Sequence, residues 1–452
     1  MDKSAEKHFS NLEKHLDVVL AAEKYLWKHP EVGFKEWDSS YYLADQFEKL
    51  GFATVKAGNI PGFYVDLITG RPGPKLLCIG ELDAIFCKLH PDANPQTHAV
   101  HACGHHIQGA ALLGIAAAMS ENNALDNLWG SIRLMAVPAE ELIDINTRLN
   151  LREKGLINYL NGKNEFMHRG FFDGVDIVFM VHTTSDPPGT LAIRKGCNGC
   201  LVKVAVFKGI SSHAGFSPHL GKNALYAAIQ GINAINALRE TFVDEEHIRV
   251  HPIISKGGDG VSTIPDEVVL ETYVRGANHQ SIYEVNDMVN RALAASAASL
   301  GCNVKIMDMH AYFPMTNDPD LIAISEQAMG FVTDKDKISI RTDIWETYST
   351  DMGDVSAIFP VVYINCGGAI GKSHGSDYRI SDVSSACINS AKCQLMLIDL
   401  LLRNKAKKAE DVIKKRRQPF TSIKEYLTFI DNNTCTKDAV HFNSNRTITL
   451  TF

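Results

Sequence analysis

Four short apolar runs, each followed closely by an acidic or histidine residue, constrain this chain more than any other feature. Leu76-Leu77-Cys78-Ile79-Gly80 delivers Glu81 and Asp83, and Leu134-Met135-Ala136-Val137-Pro138 precedes Glu140-Glu141. Ile177-Val178-Phe179-Met180-Val181 leads into His182, and Val361-Val362-Tyr363-Ile364 is followed shortly by His374. Apolar runs without alternation read as strands buried on both faces, the pattern of a parallel sheet. In open α/β sheets, ligands and catalytic groups gather at the carboxyl ends of such strands. A fifth element, His101-Ala102-Cys103-Gly104-His105-His106, places Cys103 and His105 two apart, so both side chains can face one way in an extended or tightly turned segment. A thiolate and an imidazole are good ligands for a divalent transition metal. Alone this pair is a weak signal. With the acids and histidines at the other run ends, it predicts one rim carrying a Cys, several His and a carboxylate pair.

At 452 residues the chain exceeds one core and predicts two or three domains. A net charge of −7 argues against nucleic acid and anionic membranes as partners. The apolar run Gly109 to Met119 is too short to span a bilayer, and the amphipathic N-terminal stretch (Phe9, Leu12, Leu16, Val19, Leu20) has no signal core. The expectation is a cytoplasmic protein. Its ten cysteines form no paired framework. Cys78, Cys366 and Cys393 read as buried small hydrophobes, and the lone Cys197/Cys200 pair as turn residues beside Gly196 and Gly199.

Two helices are expected first, one running to about Trp27 and one from Trp37 to the C-terminal glycine Gly51. A helix of small residues, Gly109 to Met119, follows the Cys-His cluster. From about Lys195 the texture changes: Leu201 to Phe207 alternates, as a half-exposed antiparallel strand does. Then come a helix at Asn223 to Leu238, strands at Ile248 to Ile254 and Val268 to Val274, a helix at Ile282 to Leu300 and a strand at Asn303 to Asp308. That β-α-β-β-α-β order predicts a small α+β domain, residues 195–311, inserted in an α/β domain made of residues 1–194 and 312–452. The basic stretch Lys414 to Arg417 reads as a solvated helix end.

In order and spacing these residues resemble the M20 family of metallopeptidases and amidohydrolases, in the branch of N-acyl amino acid, aminobenzoyl-glutamate and auxin-conjugate hydrolases. The resemblance covers most of the chain. It runs through His29-Pro30-Glu31-Val32-Gly33-Phe34, Gly80-Glu81-Leu82-Asp83-Ala84, His101 to His105, and Pro138-Ala139-Glu140-Glu141. It continues through Ser212-His213-Ala214, Gly221-Lys222-Asn223-Ala224, Ser349-Thr350-Asp351-Met352-Gly353-Asp354 and His374-Gly375. The resemblance implies a two-metal zinc-peptidase-like catalytic domain carrying an inserted ferredoxin-like lid and dimerisation domain.

It also implies roles. Cys103, His105, Glu141, His182 and His374 hold two divalent ions, zinc or manganese first, with Cys103 bridging. The physics agrees, since two cations a few ångströms apart need anionic bridging. Glu140 is the general base; that Glu141 ligates and Glu140 does not rests on the resemblance alone. Asp83 orients a ligand imidazole. His213 polarises the scissile carbonyl of the partner subunit's substrate, and Asn223 and Arg275 bind the substrate carboxylate, with a strand-end surface charge the plain alternative for Arg275. His106 stands where the family commonly has Asp or Asn, and Ser262 where it often has Asn. The segment after Glu141 lacks the glycine-rich run of many relatives.

The expected function is metal-dependent hydrolysis of an amide bond in N-acyl or aryl-amide amino acid conjugates, by a homodimer acting on small molecules. The alternatives are a dipeptidase of the same family, a non-catalytic metal-binding subunit of a hetero-oligomer, and a thiol enzyme using Cys103.

Overall fold

The computed structural model describes residues 2–443 and 447–451. These divide into two compact units. The first comprises Met1–Gly196, Thr316–Ile344 and Asp354–Ile423. Its nine-stranded sheet has at its centre four parallel neighbours in the order Ser131–Val137, Lys75–Glu81, Ile177–Thr184 and Val361–Gly367. These are the four apolar runs, and each is buried almost throughout. The antiparallel strands Phe63–Ile68 and Leu191–Cys197 flank them. Register pairs Glu81 with Val137 and His182 with Asn365, so the polar ends of neighbouring strands fall on one rim.

Helix His105–Ser120 runs through the core of this unit, with every residue from His105 to Met119 buried. Its small residues are what allow that. A Cβ on Gly109 would sit 2.9 Å from Leu26 Cδ1, and one on Gly114 would sit 3.1 Å from Leu12 Cδ1. The expected single N-terminal helix is two, Lys3–Glu13 and Leu16–Lys28, and the next, Trp37–Lys49, stops before Gly51 at φ 91°. Among the described residues one helix, Ser384–Lys414, is long and apolar enough to cross a membrane. It is 89% buried inside the fold over its most apolar window, and its backbone leaves helical geometry at Arg403, Asn404, Lys405 and Ala406.

The second unit, Cys197–Met315, Trp345–Gly353 and Lys424–Phe452, holds a seven-stranded antiparallel sheet. Its central strand Gly199–Lys208 lies between Glu267–Gly276 and Asn303–Tyr312, with helices Ala224–Leu238 and His279–Ser299 packed on the sheet. Two expectations are corrected here. The alternating stretch Leu201 to Phe207 is not half exposed: Lys203, its mid-strand cation, is fully buried, bonded to Asp308 and 2.5 Å from Asn290 Oδ1. A buried lysine is tolerable because it is paired. The end of the chain, expected with the α/β domain, instead joins this unit, since Cys435–Phe442 pairs antiparallel with Asn303–Tyr312.

Candidate metal centre

The rim of the first unit brings together all five residues expected as metal ligands. Cys103, His105 and His182 place their ligand atoms within 4.8 Å of one another, and so do Cys103, Glu141 and His374. Cys103 belongs to both groups. A third group joins His105 and Glu141 to Glu140, which is 7% exposed.

Local structure explains each placement. Gly104, at φ 88°, turns the chain from Cys103 into the helix that begins at His105. Only glycine fits there: a Cβ would come 2.6 Å from Tyr378 Oη and 3.3 Å from Thr183 Cβ. His105 Nδ1 donates to Asp83 O at 2.9 Å and lies 3.1 Å from Asp83 Oδ1, which turns Nε2 toward the rim. Among the described residues that buried Nε2 has no hydrogen-bond partner, although Glu81 Oε2 is 3.2 Å away. His182 spends Nδ1 on Thr183 O at 2.8 Å and faces Cys103 Sγ with Nε2 at 3.6 Å. His374 approaches Glu141 Oε1 at 2.8 Å, held by its own N–H to Ala102 O. Asp83 is fully buried and serves both groups, since its Oδ2 accepts the Glu141 N–H at 2.8 Å.

The electrostatics follow from this crowding. Burial and the Glu141 charge would raise the Cys103 thiol, but the imidazoles of His105 and His182 bring it down to about 5. His374 is raised to about 11 by its bonds to Cys103 and Glu141. Burial opposes a charge on His105, yet Cys103 and Glu81 raise it well above the usual imidazole range. Protons on the histidines thus stand where cations would balance a thiolate and two carboxylates. Together with an orphaned imidazole nitrogen and a sulfur common to two ligand groups, this donor set fits two divalent ions. In metal-free protein the thiolate absorbance near 240 nm is expected to persist until the pH falls to about 5. Because this folded-state value lies below the unfolded ~8.5, the thiolate contributes stability above pH ~8.5, lost as pH falls through the folded value. Absorbance that disappears near the ordinary thiol range would contradict this arrangement.

Two polar residues that the sequence did not single out hold Glu81 beside His105. Lys163 Nζ donates to Glu81 Oε1 at 2.5 Å, and Gln108 Nε2 donates to Glu81 Oε2 at 2.8 Å. Lys163 is fully buried and Glu81 1% exposed. Burial would raise the Glu81 carboxyl, but the charges of Lys163, His105 and His182 hold it at about 2. Gln108 lies one turn after His105 and could have been found by that spacing; Lys163 sits in a stretch with no motif around it. His106 is buried, its ring 4.9 Å from that of Trp27 and its Nε2 3.6 Å from Glu23 Oε1.

The remaining expected site residues lie in the second unit. His213 is exposed, and its Nδ1 accepts the backbone N–H groups of Gly215 at 3.2 Å and Phe216 at 2.9 Å. Asn223 uses its side-chain oxygen to cap helix Ala224–Leu238, accepting from Leu225 and Tyr226. Arg275 is half-buried on its strand, its guanidinium 5.3 Å from the Tyr273 ring centre.

The sequence matches peptidase family M20/M25/M40 over residues 82–397. It is 26% identical over 326 residues to thermostable carboxypeptidase 2 of Saccharolobus solfataricus, covering 70% of this chain and 78% of the relative. It is 27% identical to the N-acetyl-L-cysteine deacetylase of Bacillus subtilis, covering 67% and 70%. In fold it is similar to a dinuclear metal-binding peptidase of family M20 from Bacillus subtilis, with a TM-score of 0.63 at 19% identity over 86% of this chain and 99% of that one. The match spans the Cys-His cluster, the glutamate pair and both distal histidines, and the chain belongs to peptidase family M20/M25/M40, as a metal-dependent hydrolase of amide bonds.

Proposed function

We propose that this protein releases an amino acid from an N-acyl or aryl-amide conjugate, with Cys103, His105, Glu141, His182 and His374 holding two divalent ions. The observation that carries this reading is the sharing of Cys103 between two ligand groups with Glu140 alongside. Zinc suits a site of one thiolate and three imidazoles, and manganese is the next choice. Held there, two divalent ions would polarise the carbonyl and acidify a water. Glu140 accepts that water's proton and passes it to the leaving amine. Asp83 keeps the His105 ring and the Glu141 backbone in place through its two carboxylate oxygens.

His213 is the donor to the carbonyl oxygen as negative charge develops there. With Nδ1 accepting two backbone N–H groups, the ring proton belongs on Nε2, which makes neutral His213 a hydrogen-bond donor at its outer edge. His213→Ala is expected to lower kcat roughly 10²–10³-fold and to leave metal content unchanged; wild-type turnover in this variant would remove the role. Asn223 and Arg275 take the substrate carboxylate.

We assign the active form to a homodimer. Among the described residues the strand Ile253–Lys256 pairs on one side only, with Glu267–Gly276, and its Ile253 is half exposed, as a strand that adds to a second copy needs. A cytoplasmic location agrees with ten cysteines that are all free thiols. The names of the relatives, a carboxypeptidase and an N-acetyl-L-cysteine deacetylase, support both acyl-amino acids and short peptides as substrates. The test is metal content together with hydrolysis of N-acetyl amino acids, p-aminobenzoyl-glutamate and dipeptides, before and after chelation. Turnover that survives removal of all metal, or protein that takes up no metal, overturns the proposal.

A further inference from the structure

The turn carrying Glu140 and Glu141 does not hold itself. Ala139, immediately before the pair, has φ 58°, the left-handed region that a residue with a Cβ rarely adopts. Such a conformation persists only where surrounding groups over-determine it. Here three buried polar side chains supply that restraint. Glu36 Oε1 accepts the Ala139 N–H at 2.7 Å, and Asp83 Oδ2 accepts the Glu141 N–H at 2.8 Å. The third is Arg148, which answers the carbonyls.

Arg148 is 2% exposed, and it donates hydrogen bonds to backbone oxygens. Nη1 donates to Ala139 O at 3.3 Å and to Leu160 O, and Nη2 donates to Glu141 O. Its planar fork therefore bridges the two carbonyls that flank Glu140 and ties both to the returning chain at Leu160. Gly162 N–H adds a second bond to Ala139 O at 3.1 Å. On the far side, Gly33 leaves the space that the guanidinium fills: a Cβ there would lie 2.5 Å from Arg148 Nη2 and 3.1 Å from Ala139 Cα. Arg148 comes from helix Ile145–Glu153, in the stretch after Glu141 where the sequence shows no motif.

We propose that Arg148 is a positioning residue for the reaction, the clamp that sets where Glu140 and Glu141 point. This rests on the reading above, in which that pair supplies the base and a metal ligand. Arg148 touches neither substrate nor metal in this role. It acts through the backbone on either side of Glu140.

The experiment uses the full chain, cobalt(II) as the metal probe, and the N-acyl amino acid that wild type cleaves fastest. Arg148→Lys keeps the cation but has one nitrogen where three carbonyls are bonded. Its kcat is expected to fall roughly ten- to hundredfold, the usual loss when a group behind the ligands is removed, with KM within about twofold. The visible absorption band of the cobalt enzyme should move. In metal-free protein the amides of Ala139 and Glu141 should exchange with solvent faster, while helix His105–Ser120 stays protected. Gly33→Ala puts a Cβ 2.5 Å from the same guanidinium and 3.1 Å from Ala139 Cα; it is expected to give the same pattern, which covers failure of the first variant to fold. Wild-type kcat and cobalt spectrum in both variants overturn the inference. So does a loss of activity that merely tracks the folded fraction, with spectrum and exchange unchanged. If wild type itself neither binds cobalt nor cleaves any substrate, the metal-hydrolase reading fails first, and the clamp with it.

Discussion

Glu140→Gln is expected to lower kcat roughly 10²–10⁴-fold, the range that one general acid–base group contributes, while both metal ions stay bound. The reason lies in how the adjacent glutamates are divided. Glu141 is committed: its Oε1 meets His374 Nε2 at 2.8 Å, and it shares a ligand group with Cys103. Glu140 reaches His105 and Glu141 but is absent from both groups that contain Cys103. Glutamine keeps its size and one acceptor oxygen and cannot carry a proton between water and amine. Glu141→Gln should behave differently, losing metal before chemistry. Metal content measured beside kcat separates the two; a Glu140→Gln enzyme that loses metal in step with activity would reverse the assignments.

Lys163→Met is expected to destabilise the metal-free protein by about 3–5 kcal/mol, the cost typical of removing one partner of a buried ion pair. Both members are buried, and Glu81 would be left with Gln108 Nε2 at 2.8 Å and His105 Nε2 at 3.2 Å. The double variant Glu81→Gln, Lys163→Met should recover much of that loss, because no buried charge then lacks a counter-charge. The pH dependence has a definite sign. Glu81 is held at about 2, below the ordinary ~4.3 of an unfolded glutamate. Its contribution is thus present above that ordinary value and lost as pH falls toward about 2. Denaturant titrations across this acid range should show the slope in wild type and a weaker one in Lys163→Met. Equal slopes would mean that the pair does not hold the Glu81 charge.

Much of the site was legible because its residues sit at the ends of strands that announce themselves. Leu76–Gly80, Leu134–Val137, Ile177–Val181 and Val361–Ile364 are each apolar enough to read as buried parallel strands, and the groups after them had to meet on one rim. The α+β insertion was legible from its element order. Its central strand was misread because Lys203 looks like a solvent-facing residue until Asp308, 105 positions later, lies beside it. The C-terminal strand Cys435–Phe442 was missed, since a strand with half its residues polar carries little pattern.

By itself, then, the order of apolar runs and ligand-type residues determined the fold class and the rim, while the five-residue metal set came with the resemblance to family M20. Those signals are local: a strand is marked by its own apolar run, and a ligand by its chemical type at that strand's end. Only the tertiary structure decided what holds the set in place. Lys163 meets Glu81 across 82 positions, and Glu36 meets Ala139 across 103. Arg148 lies nearer in sequence to Ala139, but a lone arginine in an unpatterned segment says nothing about where its five N–H groups will go. A buried charge is tolerated only where its partners arrive from elsewhere in the chain. Such residues become legible once the backbone has closed around them.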